Sequence, residues 1–209
     1  MAFSSNEGKE LFKDWVYSFS PRKILDVGPG AGVYADLIHE VEGKRVKVAA
    51  RKAVEGSGSW SEVTKCFESP VSITGLEVFK PYINQFGLKQ KYDRLIIGDI
   101  YDLRDQLEDY DLIIFGDVLD HLPREKALQV WSAVRKKTKF LWLSTIVRPA
   151  PDLEWYAGYT QEEEEYAINP YEKQVYCWSF DEILKKLGPF LWRCPFKTVV
   201  CFVAEGDRQ

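Results

Sequence analysis

Apolar positions recur along the chain with two periods, and the alternation between them outlines the fold. Leu11, Trp15, Val16 and Phe19 fall on one helical stripe within Glu10 to Phe19, and Ser20-Pro21 ends it, which predicts a short amphipathic helix. Arg22 to Val27 reads as a buried strand that runs into Gly28-Pro29-Gly30-Ala31-Gly32, after which helical spacing resumes over Val33 to Glu40. Further strands are predicted at Val71–Val78, Tyr92–Ile97, Asp111–Phe115 and Phe140–Val147, with helices at Pro81–Phe86, Leu103–Glu108 and Arg124–Lys137. Strands and helices alternating at these lengths specify a parallel sheet covered on both faces. A helix at Ser179–Leu187 precedes Phe190–Arg193 and Thr198–Ala204, two strands close enough to pair antiparallel. The expected fold class is α/β: a seven-stranded, mostly parallel sheet sandwiched by helices, with a C-terminal antiparallel hairpin, in a single domain over residues 1–209.

Two stretches escape this alternation. Residues 42–70 read as an insertion. They hold Lys44, Arg45, Lys47, Arg51 and Lys52, then the glycine- and serine-rich Glu55-Gly56-Ser57-Gly58-Ser59-Trp60. The basic–apolar alternation of Arg45 to Ala50 fits an extra strand, or else a solvated flap. Residues 148–176 read as a long loop holding Trp155, Tyr156, Tyr159, Tyr166, the acidic run Glu162 to Glu165, and Asn169-Pro170-Tyr171. Loops of this length in a compact domain are functional or disordered, so this one is a candidate lid over an acceptor.

Composition narrows the class. A 45% apolar and 29% charged chain with a formal charge of −4 folds as an ordinary globular domain, and it lacks the basic field of a general nucleic-acid binder. Uninterrupted apolar runs such as Leu112 to Phe115 are far short of the roughly 20 residues that span a bilayer. The N-terminus has no secretion-signal profile, so a cytoplasmic location is expected. Cys66, Cys177, Cys194 and Cys201 never stand at C-x-x-C spacing, and His39 and His121 are the only histidines, so no metal centre is expected and the thiols are read as reduced. The 14% aromatic content fits either a ring-rich core and surface or a pocket for a flat or sugar-like ligand.

The chemistry-bearing motif is Asp26-Val27-Gly28-Pro29-Gly30-Ala31-Gly32, placed where a strand hands over to a helix and backbone N–H groups can receive an anionic ligand group. A dinucleotide fingerprint requires glycines at the first, third and sixth positions, and the sixth is Val33. Asp-x-Gly-x-Gly-x-Gly instead resembles the first motif of class I S-adenosylmethionine-dependent methyltransferases. Glu77, at the end of the second strand, matches that family's ribose-binding acid, and a carboxylate suits a vicinal diol because its two oxygens accept from both hydroxyls. Gly98-Asp99-Ile100 matches the adenine motif, with Asp99 taking the amino group and Ile100 supplying a backbone N–H and an apolar face. Asp117-Val118-Leu119-Asp120-His121-Leu122 resembles the segment after the fourth strand in many small-molecule methyltransferases.

The resemblance covers residues 22 to about 147 and the terminal hairpin. It implies S-adenosylmethionine as cofactor, S-adenosylhomocysteine as product, and cofactor contacts from Asp26, Gly28, Gly30, Gly32, Glu77, Asp99, Ile100 and Asp117. Glu77 lies further from the glycine turn than the roughly 20 residues usual in such folds; a strand at Arg45 to Ala50 would make Glu55 the competing acid.

The acceptor is read from what is missing. Gly116-Asp117-Val118-Leu119 stands where exocyclic-amine methylases carry Asp/Asn-Pro-Pro-Tyr, no Pro-Cys nucleophile is present, and Ser144 to Arg148 lack the acidic-Asn pair of metal-dependent catechol-type enzymes. The expected reaction is metal-independent transfer to a small-molecule or saccharide-like acceptor. His121 is the candidate general base, with Asp117 or Asp120 holding a ring nitrogen. Two alternatives stay open: an RNA or protein acceptor docked through the basic insertion, and a cofactor-binding module without transfer activity.

Overall fold

The computed structural model describes residues 8–148, 169–173, 175–195 and 199–208. Helix α1 (Lys9–Phe19) leads into β1 (Lys23–Val27), α2 (Val33–Val54), α3 (Trp60–Glu68) and β2 (Ser72–Glu77). There follow α4 (Pro81–Gln85), β3 (Arg94–Ile97), α5 (Ile100–Leu103), β4 (Tyr110–Gly116), α6 (Arg124–Arg135) and β5 (Thr138–Arg148). Beyond the long loop come β6 (Trp178–Ser179), α7 (Phe180–Lys186), β7 (Trp192–Pro195) and β8 (Val199–Glu205).

The sheet order is β3-β2-β1-β4-β5-β8-β7. Strands β1 to β5 pair in parallel, and β8 runs antiparallel to both β5 and β7. The expected fold class is therefore observed, with one addition: β6 pairs in parallel with the far end of β5, through Val147 and Trp178, and makes an eighth strand.

Successive residues of the central strands bury into opposite layers. Leu25, Val27, Ile113 and Phe115 pack with Val130, Trp131 and Val134 of α6. Ile24, Leu112, Ile114 and Trp142 pack with Phe12 and Val16 of α1 and Ile38 of α2. Strands apolar on both faces need a helix layer on each side, and both layers are present.

Local readings need correction in two places. Residues 42–54 are neither flap nor strand, because α2 continues through them, and Arg45 to Ala50 are helical. The period-2 look of Arg45-Val46-Lys47-Val48 is incidental: Arg45 instead pairs with Glu42 one helical turn back, and its guanidinium donates to the Val16 and Tyr17 carbonyls at 2.5 and 2.6 Å. Those carbonyls belong to the last turn of α1, where Val16 O also accepts from Ser20 N at 3.0 Å. The Gly-Ser segment is the turn into α3, and Glu55 is exposed at the end of α2, which removes it as a rigid rival to Glu77. Likewise the α-helix expected at Leu103–Glu108 lies earlier, at Ile100–Leu103, where the Asp99 carboxylate accepts from Tyr101 N at 2.8 Å and caps α5, and Arg104–Gln106 form a 3-10 turn instead. Residues 149–168, which include Trp155, Tyr156, Tyr159, Tyr166 and Glu162 to Glu165 of the candidate lid, lie outside the described residues.

Candidate functional site

From β1 the chain builds β2 and β3 to one side, then crosses over to β4 on the other, so the β1/β4 boundary is the switch point where open α/β sheets bind ligands. The candidate residues Asp26, Gly28, Glu77, Asp99 and Asp117 all stand at the carboxyl ends of β1 to β4 around this boundary.

The glycine turn opens the crevice. Gly28, Gly30 and Gly32 all take positive φ, and Gly32 precedes α2. At Gly28 the requirement is steric as well as conformational: a Cβ there would lie 2.8 Å from Val118 Cγ2, in the loop after β4.

Below the turn, Asp26 is buried and accepts the Tyr92 hydroxyl at 2.5 Å. Burial pushes its carboxyl up to about 7, against the pull of Tyr92 and of the Lys9 charge. Glu77, 3% exposed, is likewise pushed up to about 7 by burial, with the backbone N–H groups of Phe79, Gly30 and Val78 drawing it back. Its Oε1 accepts from Phe79 N at 2.7 Å. Two desolvated carboxylates on adjacent strand ends form a costly arrangement of the kind found at ligand sites.

Asp99 is half-buried with one oxygen committed to its cap, and Ile100 is buried beside it. Asp117 takes φ 58, its N–H donates to Ser144 O at 2.8 Å, and its carboxylate accepts Ser144 Oγ at 3.3 Å. A non-glycine residue held in the left-handed region costs energy that the surrounding structure must offset.

The expected pairing of a His121 ring nitrogen with Asp117 or Asp120 is not made at Nδ1, which is buried with no hydrogen-bond partner among the described residues. Left-handed Asp117 is bonded to Ser144 on β5, while Leu119–His121 wind into a 3-10 turn closed by His121 N on Val118 O. Asn169-Pro170-Tyr171 is the turn expected of it, with Asn169 accepting from Tyr171 N at 3.0 Å. Beyond it, Glu172 accepts from the Tyr82 hydroxyl at 3.1 Å, and the N–H groups of Val175 and Tyr176 donate to Asp120 O. This returning segment thus touches both the β2 side and the β4 side of the crevice.

Three contributors went unnoticed in the sequence: Lys9, Tyr34 and Tyr92. Lys9 is 7% exposed, with its ammonium 3.9 Å from the Tyr34 ring centroid. Its signal was present, since Lys9, Phe12 and Val16 share the buried stripe of α1. Tyr34 packs so tightly on the end of β4 that a Cβ at Gly116 would come within 2.3 Å of its ring. Among the described residues no three His, Cys, Asp or Glu side chains converge as a metal site, and no helix is long and apolar enough to cross a membrane.

No family model matches the chain, and no curated protein matches its sequence. Solved structures do match its fold. Magnesium protoporphyrin IX methyltransferase from Synechocystis PCC 6803, with bound SAH, aligns at TM-score 0.58 and 15% identity over 96% of this chain and 83% of that one. The N-terminal domain of EvdMO1 with SAH bound aligns at 0.57 and 14% identity over 98% and 83%. TehB from Haemophilus influenzae aligns at 0.57 and 13% identity over 95% and 62%. The chain has the class I methyltransferase fold.

Proposed function

We propose that this protein is an S-adenosylmethionine-dependent methyltransferase acting on a small-molecule acceptor without a metal ion. The observation that carries the reading is the buried Glu77 carboxylate at the end of β2, drawn on by the backbone N–H of Gly30 in the adjoining glycine turn. Two similar folds were solved with SAH, and one is named for a porphyrin substrate, which supports both the cofactor and a small acceptor. The bound cofactor supplies an electrophilic methyl group.

The chain's own residues then have distinct tasks. Glu77 accepts from the two ribose hydroxyls, while Asp99 and Ile100 hold the adenine edge. Asp26, Gly28, Gly30, Gly32 and Asp117 shape the end nearest the β1/β4 boundary. Transfer depends on orientation and exclusion of water, and His121 is the residue assigned to the acceptor's proton. The metal-independent reading rests on Ser144 to Arg148, which offer no acidic-Asn pair.

Calorimetry tests the cofactor: S-adenosylhomocysteine should bind and NAD should not, and the reverse order would overturn the reading. Labelled methyl donor with pooled small molecules then finds the acceptor; labelling of RNA alone, declining steeply with salt, would move the acceptor to nucleic acid. His121→Asn should lower turnover by about 10²–10⁴-fold while sparing cofactor affinity.

A further inference from the structure

A second cleft lies at the opposite end of the sheet from the glycine turn. Its volume is about 420 Å³, and its walls are the C-terminal half of α6 and the 3-10 turn Arg104–Gln106. Helix α6 starts just after the His121 turn and ends at the amino ends of the strands, where Lys137 O accepts from Tyr110 N of β4 at 2.7 Å and β5 begins at Thr138. The whole length of α6 therefore separates this cleft from the crevice.

The groups lining it are nearly all donors. Arg104, Lys136 and Lys137 bring three cations from two separate elements, and among the described residues neither lysine has an ion pair. Arg104 is held ready: its guanidinium donates to Tyr101 O and lies 4.2 Å from the Tyr101 ring centroid. Gln129 Oε1 accepts the Tyr101 hydroxyl at 3.2 Å, which leaves the amide N–H groups free to donate. The one acid on the rim, Asp105, is mostly exposed and stands 3.6 Å from Arg104, too far for a hydrogen bond.

A lining of this kind calls for an anion with several acceptor oxygens. A carboxylate has two oxygens and one charge, whereas a phosphomonoester has three terminal oxygens and nearly two charges. The cleft also has an apolar wall, Leu128 and Ala133, and a size within the range of about 300–1,000 Å³ that holds small organic molecules. We propose that this cleft is a second binding site, for a small organic phosphomonoester. Arg104, Lys136 and Lys137 hold the phosphate, and Leu128 and Ala133 carry the organic body. The site is independent of the cofactor reading.

The test follows phenyl phosphate by ligand-observed NMR on the full chain, with phenol and inorganic phosphate alongside. Phenyl phosphate should bind about 10–100-fold more tightly than phenol, the span of one charge-assisted hydrogen bond. It should also bind more tightly than inorganic phosphate, and saturating S-adenosylhomocysteine should leave its affinity unchanged. Lys136→Gln/Lys137→Gln should weaken it at least about tenfold, and Asp105→Asn should not weaken it. Lys44→Gln/Lys47→Gln removes the same charge from an exposed face of α2 and should have no effect. An equal loss in the two double variants would mean that net charge alone attracts the probe, and overturns the proposal. So does displacement by S-adenosylhomocysteine, which would put the probe in the crevice, or failure of phenyl phosphate to bind better than phenol. Equal affinity for inorganic phosphate overturns the assignment to an organic ester.

Discussion

The two ends of the same strands treat their acids in opposite ways. At the amino ends, Asp111 accepts from Arg22 N and Lys23 N at 2.9 and 3.0 Å and pairs with Lys139 at 2.8 Å. Partial burial would raise its carboxyl, but Lys139 and the two N–H groups outweigh burial and leave it below the usual range. Neighbouring Glu108 bridges Lys23 and Arg94, and hydrogen bonds from both cations hold it down at about 2. At the carboxyl ends, burial raises Asp26 and Glu77 to about 7. At the amino ends cations thus outweigh burial, whereas at the carboxyl ends burial outweighs the pull of Lys9 and Tyr92 on Asp26 and of backbone N–H groups on Glu77. The asymmetry sets the candidate site apart more sharply than any one motif does.

The comparison is broken most strongly at Glu77. Glu77→Ala should weaken S-adenosylhomocysteine binding by about 10–100-fold, the loss of hydrogen bonds to a charged acceptor, while Asp111→Ala leaves that affinity unchanged in the same calorimetric assay.

Next in size is a pH effect whose sign differs between the two ends. If the ligand requires ionised Glu77, affinity should fall by about tenfold between pH 8 and pH 6, since the folded value is near 7. Stability of the free protein should move the other way. A folded value raised from about 4 to about 7 means stability that is complete below pH 4 and lost as pH rises through 7. Tm should therefore increase from pH 8 toward pH 5. Below about pH 4 the amino-end acids reverse the trend, because their depressed values give stability that disappears as they protonate. A Tm falling steadily from pH 8 downward would show that Asp26 and Glu77 are not the costly pair described.

Asp111→Ala should cost about 1 kcal/mol in urea unfolding, as two backbone donors lose a partly buried acceptor. Smallest is Glu108→Gln. Both of its ion pairs are exposed, so its thermal midpoint should be indistinguishable from the parent's in 1 M salt, where such pairs are screened.

What the sequence made legible was local. Strands such as Leu112 to Phe115 declare themselves by apolar runs, and the glycine turn by a residue type with a unique backbone range. Glu77, Asp99 and Asp117 were then singled out by resemblance to motifs that follow strands in the family. The extent of α2 was not legible, because basic and apolar residues alternate over Arg45 to Val48 as they would in a strand, and the force that makes them helical comes from the end of a different helix. Lys9 was missed because a lysine at a helix start looks solvated until its stripe is counted from Phe12 and Val16 rather than from Leu11 and Trp15. The Ser144 partner of Asp117 lies 27 residues away, beyond any local rule.

The grip of Arg45 on the far end of α1 makes that helix a ruler. Val16, whose carbonyl is held, stands about two turns beyond Lys9. With one end pinned, the height and bearing of Lys9 above the sheet are set by residue number alone. Exposed side chains between them can drift, but the spacing cannot: one residue inserted after Lys9 would swing the lysine by about 100° around the helix and about 1.5 Å along it. It would leave the Tyr34 ring without any residue of the crevice having been touched. Such a chain tolerates substitution at the exposed positions of α1 and is intolerant of insertion there.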